Sequence, residues 1–271
     1  AKFNTKGTTM AESELLHYET MGDEKNPAVI IIHGLFGDGD NLKSLARDLE
    51  DDYFCVLPDA RNHGESPHYN SMRYDEMASD IIALADSLAL DTFAIVGHSM
   101  GGKIAMEVAM QYADRVTAAV FADIAPVAYP AHHNTILDAL AALDLKQIKS
   151  RSDADKQLSS AIAEKGVRQF LLKNLRKDGD HFAWRLNLSG ITDQYDHIAG
   201  SVSQGSYAGP CLFIKGGNSD YLTQQHKAQV TQRFSDAQVK VVENTGHWLH
   251  AEKPRIFNRL VKDFLASQGR L

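Results

Sequence analysis

The sequence predicts an α/β fold, a mostly parallel central sheet flanked by helices, with a helical segment inserted late in the chain. Three observations carry this. Short apolar runs that end at Gly, Pro or Asp alternate with amphipathic segments from Leu15 to Leu90. A strand-like run passes through a tight glycine turn directly into a helical pattern at Phe93–Tyr112. After Pro126 the strand signal stops and returns only at Cys211.

Taken in order, Ala28–Ile32 is a β-branched run ending at His33-Gly34, and Tyr53–Leu57 is a second ending at Pro58-Asp59. Both read as buried strands. Met77, Ile81, Leu84, Ala85 and Leu88 recur at helical spacing, so the segment from Asp75 to Leu88 lays one apolar stripe on the sheet as a crossover helix. Phe93–Val96 is a strand, Lys103–Tyr112 a helix rich in Ala and Met, and Thr117–Ala122 a strand ending at Asp123. From 127 to 207 only helical patterns stand out, as in Ile136, Leu137, Leu140 and Leu143 or Leu158 and Ile162. The sheet resumes at Cys211–Lys215, followed by a polar helix, a strand at Val239–Val242 and a closing helix from Pro254 to Ala266. The expected division is therefore a core of residues 10–126 and 208–271 with a helical cap at 127–207. Residues 1–9 are polar, lead into Met10, and are read as an extension outside the fold.

Composition excludes several function classes. A chain of 271 residues suits one domain with an insertion. A formal charge of −7 with no basic stripe argues against nucleic acid as a partner. No apolar run approaches the length of a membrane span. Cys55 and Cys211 sit within apolar runs and lack metal or redox spacing, so no metal is expected, and a reducing, cytoplasmic setting is. Gly37-Asp38-Gly39 lacks the later glycine of a dinucleotide fingerprint, so no cofactor is expected either. The chain carries no signal of oligomeric state.

The chemistry concentrates at Gly97-His98-Ser99-Met100-Gly101. A serine is a poor nucleophile until a base takes its proton and the backbone presents it to a carbonyl. A strand that turns sharply through Gly-x-Ser-x-Gly into a helix supplies that presentation, and this context is the nucleophile elbow of the α/β-hydrolase fold, with the cap inserted after the sixth strand. The helix start aims free N–H groups at a developing oxyanion, which makes Met100 one donor. His33-Gly34-Leu35-Phe36-Gly37, after an earlier strand, supplies the second through Leu35. Triads on this fold run Ser, acid, His, and His247 follows the last strand and precedes the last helix. His63, His68, His132, His133, His226 and His250 lack such placement. The acid has two candidates. The usual slot, three residues past Gly216, holds Ser219, with Asp220 next to it; the other known place, the end of the preceding strand, holds Asp123. Asp123 is preferred, with Asp220 as the alternative. Phe36, Trp184 and Ser219 are read as binding positions, and Tyr129, Phe170 and Tyr195 as further candidate walls of the pocket.

A longer string, Pro58-Asp59-Ala60-Arg61-Asn62-His63-Gly64-Glu65-Ser66-Pro67-His68, resembles the signature of the YbfF-type bacterial esterases. Matching segments at Gly97–Lys103, Asp123–Val127, Gly216–Ser219 and Gly246–Pro254 spread the resemblance over most of the chain. It implies a cytoplasmic serine esterase for short acyl esters, with acyl thioesters as a further class and a helical cap over the site. It implies Asp123 as the acid and a serine, Ser219, in the usual acid slot; Asp220 directly after it departs from that pattern. The rival on the same fold is a carbon–carbon bond hydrolase, and the rival outside enzymology a non-catalytic ligand-binding module. Haloalkane dehalogenases and epoxide hydrolases need an aspartate where Ser99 stands, which excludes both on chemistry.

Overall fold

The structure is a computed structural model describing residues 14–269. Its order is β1 (Tyr18–Met21), β2 (Ala28–Ile32), α1 (Lys43–Leu49), β3 (Phe54–Pro58), α2 (Tyr74–Ser87), β4 (Phe93–His98), α3 (Met100–Gln111) and β5 (Val116–Ala122). Then come α4 (Asn134–Ala141), α5 (Arg151–Leu158), α6 (Lys165–Leu172), β6 (Leu175–Asp178), β7 (His181–Trp184), α7 (Leu188–Asp193) and α8 (Tyr195–Ala199). The chain closes with β8 (Cys211–Gly216), α9 (Lys227–Arg233), β9 (Ala237–Val242), α10 (Leu249–Glu252) and α11 (Pro254–Ser267).

Seven strands form one sheet in the order β1-β3-β2-β4-β5-β8-β9, all parallel except β1, which runs antiparallel along β3. The central strands are buried on both faces, and their side chains divide by the two-residue period of the pleat. Ile30, Ile32, Ile95 and Phe121 pack into one core layer with α2, α3 and the segment between β5 and β8. Val29, Ile31, Val96 and Val120 pack into the opposite layer with α1 and α11. Arg61, almost fully buried, grips Asp80 of α2 with two hydrogen bonds of 2.7 and 2.8 Å, a bidentate pair that fixes the loop after β3.

The strand order reverses at β2 and β4. The chain leaves β2 toward β3 on one side and returns to β4 on the other, which opens a crevice beyond the carboxyl ends of these two neighbours. His33-Gly34-Leu35 and Ser99 emerge into that crevice side by side, because Ile32 pairs with Gly97. Asp123 follows at the end of β5, next to β4.

One expectation changes. The stretch from 127 to 207 holds five helices and also the hairpin β6–β7, where the sequence suggested helices alone. Its strands are four residues each, and Arg176, Lys177 and Asp178 face solvent, so neither an apolar run nor an alternation marks them. The insertion follows β5, the fifth strand among the described residues. The first sheet strand described, β1, is a largely exposed edge strand. The expected extension at 1–9 lies outside the described residues. Among the described residues no helix is long and apolar enough to cross a membrane. Cys55 and Cys211 are free, and burial pushes both thiols up to about 12.

Candidate active site

Ser99 sits between β4 and α3 in a left-handed conformation, φ 56° and ψ −118°, that a side-chain-bearing residue rarely adopts. The two glycines of the turn are dictated by contact. A Cβ at Gly97 would lie 2.1 Å from the Gly101 carbonyl oxygen, and one at Gly101 would lie 2.3 Å from the carbonyl oxygens of Ile32 and His33. The first helical hydrogen bond of α3 runs from Lys103 N–H to Ser99 O (3.1 Å). Met100 therefore belongs to the first turn, whose N–H groups have no partner within the helix.

His247 Nε2 lies 2.7 Å from Ser99 Oγ, and its Nδ1 lies 2.7 Å from Asp123 Oδ2. The carboxylate accepts at Nδ1, which leaves Nε2 as the acceptor facing the serine hydroxyl. Asp123 is fully buried and takes two further donors, the Gly216 N–H at Oδ1 (3.0 Å) and the Ser219 hydroxyl at Oδ2 (2.5 Å). Three donors thus satisfy the buried carboxyl group. Asp220 is exposed, one residue past the serine that makes this contact. The ring of Tyr221 stacks on His247 with centroids 3.7 Å apart, and buried His98 donates from Nε2 to the His247 carbonyl (2.7 Å). The imidazole is thereby fixed from its edge, its face and its backbone.

The loop after β2 is held by two histidines, its own His33 and His63 of the long motif. His33 Nε2 accepts from Ala60 N–H (2.9 Å), and fully buried His63 accepts from Phe36 N–H at Nε2 (3.0 Å) while donating from Nδ1 to Arg61 O (3.0 Å). Burial lowers the affinity of both rings for a proton, in His63 to about 3, which keeps them neutral and able to accept. Asn174 donates to Phe36 O (2.9 Å), so Phe36, at φ 68°, is pinned at both ends of its peptide frame.

Two cavities meet at Leu35, Ser99 and His133. The larger, about 380 Å³, is bordered by His247, Trp248, Phe36 and Phe170. The smaller, about 30 Å³, is bordered by Met100, Lys103, Tyr129 and Tyr195. Ser99, His247, Asp123, Leu35 and Met100 are brought together as the sequence suggests, and Phe36, Phe170, Tyr129 and Tyr195 reach the cavities. Two binding assignments change. Trp184 sits half-buried in β7, paired with Leu175 of β6, and lines neither cavity. Ser219 spends its hydroxyl on Asp123, away from both cavities.

The sequence reading also passed over His63, His98 and His133. His98 carried a local signal, since it belongs to the elbow itself. His133 bonds Tyr195 through Nδ1 and the hydroxyl (2.7 Å) across 62 residues, which no local pattern discloses. Lys103, one turn beyond Ser99, is buried under the rings of Tyr129 and Tyr74 at 4.8 and 5.6 Å and donates to Gly200 O (2.5 Å). Loss of hydration lowers its ammonium to about 7.

The chain belongs to the alpha/beta hydrolase fold family, whose family model matches residues 27–254. Within it, the chain is 39% identical to Esterase YbfF of Escherichia coli, over 89% of this chain and 93% of that protein. It is 41% identical to the sn-1-specific diacylglycerol lipase ABHD11 of Mus musculus, over 90% of this chain and 83% of that protein. A solved structure titled "Marine microorganism esterase" superposes with a TM-score of 0.89 at 36% identity, over 92% of this chain and 99% of that one.

Two outcomes follow from this geometry. Asp123→Asn should lower kcat by about 10⁴ by disturbing the His247 tautomer, while Asp220→Asn stays within about twofold of wild type in the same ester assay. Lys103 loses its proton near 7 in the folded chain but only near ~10.4 in the unfolded one. The unfolded state thus binds more protons between these values, and stability rises with pH across that window. Urea midpoints of wild type should climb from pH 7 to 9, and those of Lys103→Met should climb less.

Proposed function

We propose that this chain is a serine esterase that hydrolyses short acyl carboxylic esters, with acyl thioesters as a further substrate class, through an acyl-enzyme. The observation that carries the reading is His247 bridging Ser99 and a fully buried, triply hydrogen-bonded Asp123 at 2.7 Å on each side. The esterase names of its relatives at 39% and 36% identity support the same reaction class.

In the first step His247 takes the Ser99 proton at Nε2 and Ser99 Oγ attacks the ester carbonyl. The carbonyl oxygen turns toward the N–H groups of Leu35 and Met100 as its charge develops. Collapse breaks the bond to the alcohol oxygen, which leaves with the proton held on His247. Water then gives its proton to His247, attacks the acyl carbon, and releases the acid and the Ser99 hydroxyl. Asp123 holds the ring in the tautomer that both steps need, and Ser219 and Gly216 hold Asp123. The segment 127–207 acts as the cap that supplies the cavity walls. Substrates are small-molecule esters met in a reducing, cytoplasmic compartment, a setting that suits two unpaired buried thiols.

Ser99→Ala and His247→Ala should each lower turnover of a nitrophenyl ester by roughly 10⁴ to 10⁶. Turnover near the wild-type level in Ser99→Ala would contradict the assignment.

A further inference from the structure

Resting on the esterase reading, we infer that the two cavities divide the substrate unequally: the small one takes the acyl group and keeps it short, while the large one takes the alcohol. The alcohol oxygen must receive its proton from His247 Nε2, so whatever is attached to that oxygen extends into the space that His247 borders. That space is the large cavity, about 380 Å³, which His247 and Trp248 line. The small cavity is bordered by Met100 and Leu35, the two oxyanion donors, and His247 is not among its walls. A carbonyl whose oxygen faces those donors and whose alcohol lies beside His247 has one substituent left, the acyl chain, and the remaining opening at Ser99 is the small cavity.

Its volume, about 30 Å³ against about 380 Å³ for the larger cavity, makes it much the tighter of the two. The walls are not free to retreat. Tyr74 donates to Ile198 O (2.6 Å), Lys103 to Gly200 O (2.5 Å) and Tyr129 to Tyr221 O (2.5 Å). Each bond joins a core residue or loop to a segment that would have to move, and Ile198 is itself buried. The large cavity has apolar walls from α4 and α6, including Ile136, Val167 and Phe170, which favour an alcohol with an extended apolar body. The chemistry balances as in the esterase cycle: the bond from Ser99 Oγ to the acyl carbon forms, the bond to the alcohol oxygen breaks, and the Ser99 proton leaves on the alcohol.

Two ester series test the division. One varies the acyl chain from acetyl to octanoyl on 4-nitrophenol, and the other varies the alcohol from ethyl to octyl on acetate, followed by titration of released acid. The wild-type kcat/KM should fall by about tenfold or more between propionyl and hexanoyl and rise by about tenfold from ethyl to octyl acetate. Ile198→Ala should move the acyl optimum longer by about three carbons, the number the substitution removes, without reordering the alcohol series. Phe170→Ala should lower kcat/KM for octyl acetate by about tenfold and leave the shape of the acyl series as it was. The wild-type series decides even where a variant does not fold. Preference for octanoyl over acetyl, with no dependence on alcohol length, would overturn the division while leaving the esterase reading intact. Cleavage of neither series, with Ser99 unlabelled by a fluorophosphonate, would overturn the esterase reading and the division together.

Discussion

The left-handed backbone at Ser99 can exist only because β4 turns into α3 within a space that admits no side chain at residues 97 and 101. Holding a serine at φ 56° costs on the order of 1–3 kcal/mol, and the surrounding structure must over-determine it. It does so through the sheet. β2 and β4 are neighbours in register, so the backbone of Ile32 and His33 presses directly on Gly101, and the Ser99 N–H is bonded to Ala122 O (3.1 Å) at the end of β5. The same packing that strains Ser99 brings the loop after β2 alongside it. The positions of Ser99 and of the loop carrying Leu35 are therefore consequences of one strand adjacency.

Around this turn the chain uses neutral histidines as structural acceptors and donors. His33 and His63 receive backbone N–H groups from loops that a lysine or arginine could not serve, and His98 donates to the backbone of His247. Burial keeps protons off these rings. His247, by contrast, is partly exposed at the cavity and pairs with a carboxylate. One residue type thus stands in two environments, separated by burial and by the presence of Asp123.

The parts of the site that were legible in the sequence are those whose meaning is local. Ser99 lies in a pentapeptide flanked by a strand and a helix, and His247 lies between the last strand and the last helix. The choice between Asp123 and Asp220 was open because it depends on pairing between segments about ninety residues apart. Ala122 lies opposite Ile214, which sets Asp123 beside Gly216 and lets Ser219 turn its hydroxyl to the carboxylate, leaving Asp220 in solvent. The β6–β7 hairpin stayed hidden for a different reason: its strands are too short and too charged to show a period. Trp184 was misplaced with it, since an aromatic residue in an unassigned segment has no known direction. His63 was visible as part of a long motif, but its partner, the Phe36 N–H, is 27 residues away.

The central claim is that Ser99 carries the acyl group during turnover, and the most direct measurement is to quench the protein with acid while it hydrolyses 4-nitrophenyl acetate and map the acetyl group by peptide mass spectrometry. The account predicts an acetyl group on Ser99, present during turnover in wild type and lost from that peptide in His247→Ala. An acetyl group that turns over on any other residue, with Ser99 unmodified, would contradict it.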